Sequence, residues 1–309
     1  PEAPVLVALT SGDATACSVP ANVVLTPLNW QHGVTVTVTA VDDDVVDGDQ
    51  ACTIQTTVSS ADPHYDGLAM NDVSVTVQSE DVAGVVLAPA SQIVREPSHS
   101  ALVTVTLTSQ PMAPVQIDLA STTPTECSVP ANITLTAANW RTGVPVTITA
   151  VDENFVDGDQ LCTVQTTATS SDPNYHQIAV ADLPVTVQDD DVAGVALTPT
   201  TLTIGEPNLA GSFSLQLTSQ PHSAVTIKLT SSDTSECRLS TSTITLDETN
   251  WNVSALVPVT AADDEIDDGD QPCTIKSVVT STDVSYAGIA TADVVITVQD
   301  DGDTAGIVL

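Results

Sequence analysis

Apolar and polar residues alternate one by one along much of this chain. The pattern is plainest in "VTVTVTA" (Val34 to Ala40), "LVTVTLTS" (Leu102 to Ser109) and "VVITVQ" (Val294 to Gln299). A period of two, carried by β-branched Val, Ile and Thr, sets one face of a strand on a core and the other in water. Threonine on the wet face keeps the strands soluble with few charges. Helical periodicity is absent, and Pro and Gly punctuate the gaps, as in "SQPMAPV" and "NWRTGV". Within 82–191 strands are expected near Val85–Ala88, Leu102–Thr108, Val115–Ala120, Ile133–Thr136, Val144–Ala150, Cys162–Thr167 and Pro184–Gln188. About seven short strands in roughly 110 residues predict an all-β class, an antiparallel immunoglobulin-like β-sandwich. Strands running up and down in order would gather the Glu96 loop, the Cys127 loop, the loop 152–160 and the exit 189–191 at one end. The turns around Trp140 and Tyr175 would share the other.

The pattern repeats. "ACSVPANVVLTPLNW" from Ala16 returns as "ECSVPANITLTAANW" from Glu126, and more loosely as "ECRLSTSTITLDETNW" from Glu236. "SEDVAGV" at Ser79 returns as "DDDVAGV" at Asp189 and "DGDTAGI" at Asp301. Such a period signals tandem units. The expected division is 1–81, a partial sandwich lacking its first hairpin; 82–191 and 192–301, two complete sandwiches; and 302–309, the first strand of a further unit. Stacked without linkers, the units would form an elongated rod. The chain opens on Pro1, and is read as a mature product or a window on a longer array. A second expectation is that Ala305–Leu309 docks into the gap of another copy by strand addition.

Charge narrows the function. The sequence holds 5 Lys and Arg against 40 Asp and Glu, for a formal net charge of −35. Nucleic acid and anionic membranes both call for a basic footprint and are excluded as partners. No apolar run reaches the ~18 residues of a spanning helix, so membrane insertion is not expected. The balance suits a secreted or cell-surface protein, a saline habitat or a cation binder. Disorder does not fit the ordered alternation of apolar residues.

The acid is concentrated. "VDDDVVDGDQ" (Val41 to Gln50) returns as "VDENFVDGDQ" at Val151 and "ADDEIDDGDQ" at Ala262. Two carboxylates ~4 Å apart repel by about 4 kcal/mol at an effective dielectric of ~20. Several such pairs at one end would splay it unless a cation neutralised them. Calcium takes six to eight hard oxygens, and clustered Asp beside a turn-forming Gly (Gly48, Gly158, Gly269) supplies them. Magnesium prefers to keep its waters. The loop is no EF-hand, since its ligand spacing and flanking helices are missing. The competing reading is a solvated acidic loop that aids solubility.

The loop Asp42, Asp43, Asp47, the "DDDVAGV" boundary and the Glu of "REP" and "GEP" together resemble Calx-beta domains, over nearly the whole chain. The resemblance implies β-sandwiches whose acidic loops bind several calcium ions at one end, often in tandem in bacterial surface proteins. It implies a middle site of Glu96, Asp152, Glu153, Asp157, Asp189, Asp190 and Asp191. The third would be Glu206, Asp263, Asp264, Asp268, Asp300, Asp301 and Asp303. The first keeps Asp42, Asp43, Asp47, Glu80 and Asp81, without a Glu from the hairpin. A family acidic ligand falls near Cys127, where only Glu126 or Glu236 could stand in, and Ser79 occupies a place that is Asp in the other units.

Six cysteines fall one pair to a unit, at separations of 35, 35 and 36 residues. Disulfides Cys17–Cys52, Cys127–Cys162 and Cys237–Cys273 are expected, and with them an oxidising, extracellular or cell-surface location. Two thiolates without a recurring His make a poor zinc site. Trp30, Trp140 and Trp251, with Tyr65, Tyr175 and Tyr286, recur at fixed places. They read as corner plugs or contacts with the preceding domain, with sugar stacking as the alternative. His32, His64, His99, His176 and His222 occupy different frame positions, and no nucleophile elbow is present, so no catalytic residues are assigned. Asn132 and Asn252 open glycosylation sequons. The leading expectation is a non-enzymatic structural segment of an extracellular fibre or adhesin, stiffened by calcium between units, with neighbouring repeats or copies of itself as partners. The alternatives are a filament subunit joined by strand exchange and a module binding cell-surface glycans.

Overall fold

The computed structural model describes residues 1–302, apart from 208, 264, 265 and 267. The described residues form strands, turns and bends and no helix. Apolar side chains gather into three separate cores, one for each repeat.

The middle unit shows why this sequence makes a sandwich. One sheet runs in the order 132–135, 115–121, 160–170, 183–188, 92–95. The facing sheet runs 127–128, 144–150, 100–107, 85–88. Alternate residues of each strand turn inward, as the period of two requires. Val115, Ile117 and Leu119 face Val103, Val105 and Leu107 across a core closed by Val146, Ile148, Val185 and Val187. The third unit repeats both sheets.

The antiparallel sandwich stands, with one addition. Strand Gln92–Arg95 pairs in parallel with Leu183–Gln188, and Thr201–Gly205 does so with Val294–Gln299. The chain thus crosses from one sheet to the other between Val85–Ala88 and Gln92–Arg95. Short Cys127–Ser128 is the other strand outside the sequence pattern, paired with Val144–Ala150.

The loops divide between ends as the alternation implies. Val151 N–H donates to the Glu126 carbonyl (2.8 Å), and Glu96 N–H to the Gln188 carbonyl (3.1 Å). The Glu96, Cys127, acidic and exit loops are therefore neighbours. At the opposite end the buried Tyr175 hydroxyl donates to the Ser109 carbonyl (2.7 Å), and Trp140 carbonyl accepts from Leu107 N–H (2.9 Å). Tyr175, Tyr286 and Trp140 are buried in their cores, which makes them plugs rather than platforms. The cysteines are joined as Cys17–Cys52, Cys127–Cys162 and Cys237–Cys273.

Candidate metal centre

The acidic loops are held by glycine geometry. Gly48, Gly158 and Gly269 sit at φ +76, +75 and +72°, the left-handed region in which a side chain is disfavoured. The turn aims Gly158 N–H at Asp189 Oδ2 (2.8 Å) and Gly269 N–H at Asp300 Oδ2 (3.0 Å). Loop and exit, about thirty residues apart, are thereby clasped. Asp189 also accepts from Asp191 N–H (2.8 Å), which folds the exit back on itself.

Three carboxylate clusters result, each with ligand atoms within 4.8 Å of one another: Asp42, Asp44 and Asp81; Glu96, Asp190 and Asp191; Glu206, Asp300 and Asp301. The first lies beside an open concavity of about 260 Å³ lined by Asp42, Asp43, Asp47, Glu80 and Asp81. Asp43 and Glu153 are caught on their own loops, accepting from Val45 N–H (3.0 Å) and Phe155 N–H (2.9 Å). Asp152 and Asp157 stand close enough to act on Asp191 by charge without joining its cluster. Asp263 and Asp268 are not drawn into the third cluster, while Asp264 and Asp303 lie outside the described residues.

The decisive feature is unsatisfied oxygen. Glu96 Oε2, Glu126 Oε2, Glu153 Oε1 and Asp191 Oδ2 are all buried and accept no hydrogen bond. A buried carboxylate oxygen without a partner is costly, and four at one end need a common explanation. Their ionisation shows the same tension. Burial first, then Glu153, Asp189, Asp157 and Asp190, push Glu96 up to about 7. Burial, then Asp189, Asp190, Asp152 and Asp157, push Asp191 up to about 6. Glu153 is raised by burial and by Asp157, Asp191 and Glu126, against the lowering effect of the Phe155 N–H. Asp81 is raised by burial and by Asp42, Asp44, Asp43 and Glu80. Hard anionic oxygens converging without donors fit a hard divalent cation. Among the described residues of the chain this donor set contains no nitrogen or sulfur, which suits calcium rather than zinc.

Asp44 was not among the residues expected from sequence. It is the third Asp of a run of three, but the middle unit has Asn154 there, so the repeat obscured it. Glu126, beside Cys127, has one oxygen, Oε1, accepting from the Thr125 hydroxyl and the other, Oε2, among the orphans.

The same loops also touch the next unit. Gln110 N–H donates to the Asp44 carbonyl (2.7 Å), and Gln220 N–H to the Asn154 carbonyl (2.6 Å). The contact recurs at equivalent positions as parallel bridges Val45–Gln110 and Phe155–Gln220. Around the first, Arg141 pairs with Asp44 while lying over the Trp140 ring, and Asn174 Nδ2 donates to the Val46 carbonyl (2.9 Å). Around the second, the Phe155 and His222 rings stack at 4.4 Å.

No protein-family model matches the chain, and no curated protein sequence matches it. Among solved structures, the calcium binding domain CBD12 of CALX1.1 is similar at 13% identity and TM-score 0.35, covering 70% of this chain and 99% of that one. The human desmocollin-1 ectodomain is similar at 12% identity and TM-score 0.30, covering 85% of this chain and 49% of that one. Domains 4–9 of the surface layer protein SbsC are similar at 13% identity and TM-score 0.26, covering 95% of this chain and 39% of that one. Likeness at this level is one of fold alone.

Proposed function

We propose that the chain is a non-enzymatic structural segment of an extracellular fibre or surface adhesin, stiffened by calcium at the acidic end of each sandwich. The observation that carries this reading is the set of four buried carboxylate oxygens without donors at the acidic end of the middle unit, one of them, on Glu153, in the loop that also docks into the following unit. In the middle unit Glu96, Asp190 and Asp191 would hold the ion, with Glu126, Glu153 and the exposed Asp152 and Asp157 beside them. A bound cation supplies positive charge where the fold has only negative. Loop 151–159 would then be fixed on its inner side by the ion and on its outer side by Gln220 and His222. One loop so restrained from both sides limits the hinge between units. Three disulfides, one to a core, support an oxidising location.

Calorimetric titration of the chain with calcium tests the reading. Binding with release of protons near pH 6.5 is expected, because Glu96 and Asp191 are partly protonated there. Absence of binding at millimolar calcium would return these aspartates to the role of surface charge.

A further inference from the structure

The four unpartnered carboxylate oxygens of the middle unit come in equal numbers from its two sheets. Glu96 follows strand Gln92–Arg95 and Asp191 follows Leu183–Gln188, both in one sheet. Glu126 precedes Cys127–Ser128 and Glu153 follows Val144–Ala150, both in the facing sheet. Like charges therefore meet across the seam of the sandwich. Charge from Glu153 acts on Glu96, and charge from Asp191 and Glu126 acts on Glu153. The backbone bonds Val151 N–H to Glu126 carbonyl and Glu96 N–H to Gln188 carbonyl each stay on one side of the seam. A covalent bond crosses it. Cys127 lies in a strand of two residues that pairs, among the described residues, with Val144–Ala150 alone. Cys162 lies in Gln160–Ser170 of the opposite sheet, and both cysteines are fully buried. Loop 151–159 leaves from Val151, bonded to the neighbour of the first cysteine, and ends at Gln160, two residues before the second. Gln160 Nε2 closes that end by donating to the Asp157 carbonyl (3.1 Å). The disulfide thus completes a ring around the acidic loop. The arrangement recurs: Val41 N–H donates to the Ala16 carbonyl (2.9 Å) beside Cys17–Cys52, and Ala262 N–H to the Glu236 carbonyl (2.8 Å) beside Cys237–Cys273.

We propose that the Cys127–Cys162 disulfide is a positioning device for the acidic cluster: it holds the carboxylates of the two sheets together against their repulsion, and so sets the affinity of the middle unit for calcium. The statement about affinity rests on the cation reading above. Freed of the bond, the short strand Cys127–Ser128 would carry Glu126 away from Glu153, and the Val151 hydrogen bond would open. An ion would then have to draw the seam closed before its ligands met. With the bond in place the ligands are assembled in advance, and binding no longer bears that cost. A bond that served the core alone would be indifferent to the charge on Glu126 and Glu153. That indifference is what separates the two roles.

The test makes Cys127→Ser and Cys162→Ser together in the full chain and follows amide signals by NMR. In excess chelator, exchange of the Val151 amide should quicken about tenfold or more, while Val41 and Ala262, in the units left intact, keep their rates. Adding Glu126→Gln and Glu153→Gln to the Ser variant should return Val151 to within about threefold of the parent, because the repulsion is gone. In calcium, the midpoint read at Gly158 should move to about tenfold higher concentration in the Ser variant, and those read at Gly48 and Gly269 should stay. Should the Ser variant not fold, the two Gln changes should restore the middle core, read at Val105 and Ile117. Exchange at Val151 that is unchanged in the Ser variant, or that stays fast after the Gln changes, would overturn the proposal. So would a middle core that the Gln changes fail to restore, or a calcium midpoint at Gly158 that the Ser changes leave in place. Calcium that moves Gly158 in no variant, the parent included, would remove the cation reading instead, and exchange in chelator would still decide whether the bond opposes the repulsion.

Discussion

Glu96 is 2% exposed, leaves one oxygen unbonded and lies among four other acidic groups that raise its affinity for a proton. Replacing it with Gln keeps the shape and removes the charge. Glu96→Gln should weaken calcium binding by about tenfold or more, as expected for the loss of one charged ligand. The same change should raise the melting temperature in chelator at neutral pH, because a buried repulsion is gone. Equal calcium affinity in variant and parent would remove Glu96 from the site. The raised carboxylates also set a pH dependence. Glu96 moves from 4.5 to about 7 and Asp191 from 3.8 to about 6, so the folded chain binds more protons than the unfolded chain between those limits. Their stability contribution is full below the unfolded values and is lost as pH rises through 6 to 7. Asp13, Asp62, Asp233 and Asp247 are lowered by hydrogen bonds from nearby hydroxyl and backbone groups and act in the opposite sense below 3.8, outside that window. Melting curves in chelator should therefore fall from pH 5 to pH 7.5, and calcium should flatten the slope; a rise in chelator would contradict the burial of these groups. Asp42 was legible from the repeated acidic loop, Asp81, Asp190, Asp191, Asp300 and Asp301 from the repeated unit boundary, and Glu96 and Glu206 from the "REP" and "GEP" of the resemblance. Asp44 was not, because a repeat records what units share, and Asn154 breaks the match.

Each sandwich is tied by its disulfide at the end where the acidic loops meet. Cys127 lies on a two-residue strand against Ala150, and Cys162 in the long strand Gln160–Ser170 of the other sheet. Replacing Cys127 and Cys162 together with Ser should cost the middle unit about 3–4 kcal/mol by the chain-entropy model. Urea unfolding of that unit checks this, and a loss below about 1 kcal/mol would mean that the bond closes a loop already ordered when reduced. Seven strands of this unit were legible because Val, Ile and Thr alternate over four or more residues. Gln92–Arg95 was not. It is short, it lies between Pro89 and Pro97, and its partner is a parallel strand some ninety residues on. Cys127–Ser128 has only two residues, too few to show a period.

Across the whole molecule the repeat made the three cores legible, since each period carries a full set of inward residues. The contacts between units were not legible, because the recurring ones join backbone groups and the side-chain ones, Arg141 with Asp44 at the first junction and Phe155 with His222 at the second, differ between junctions and leave no repeat. Gln110 and Gln220 reach carbonyls of Asp44 and Asn154, and any residue there could offer the same carbonyl. Phe155 is the side chain most committed to the second junction, through its stacking on His222. Phe155→Ala should leave the unfolding of the separate units within about 0.5 kcal/mol while widening the angular spread between the second and third. The most direct test is small-angle scattering of the intact chain in millimolar calcium and in excess chelator. A maximum dimension that is long and sharply defined with calcium, and shorter or broader in chelator, is the predicted result. Identical scattering in the two buffers, with calcium shown to be bound, would contradict the claim that the ion stiffens the joints.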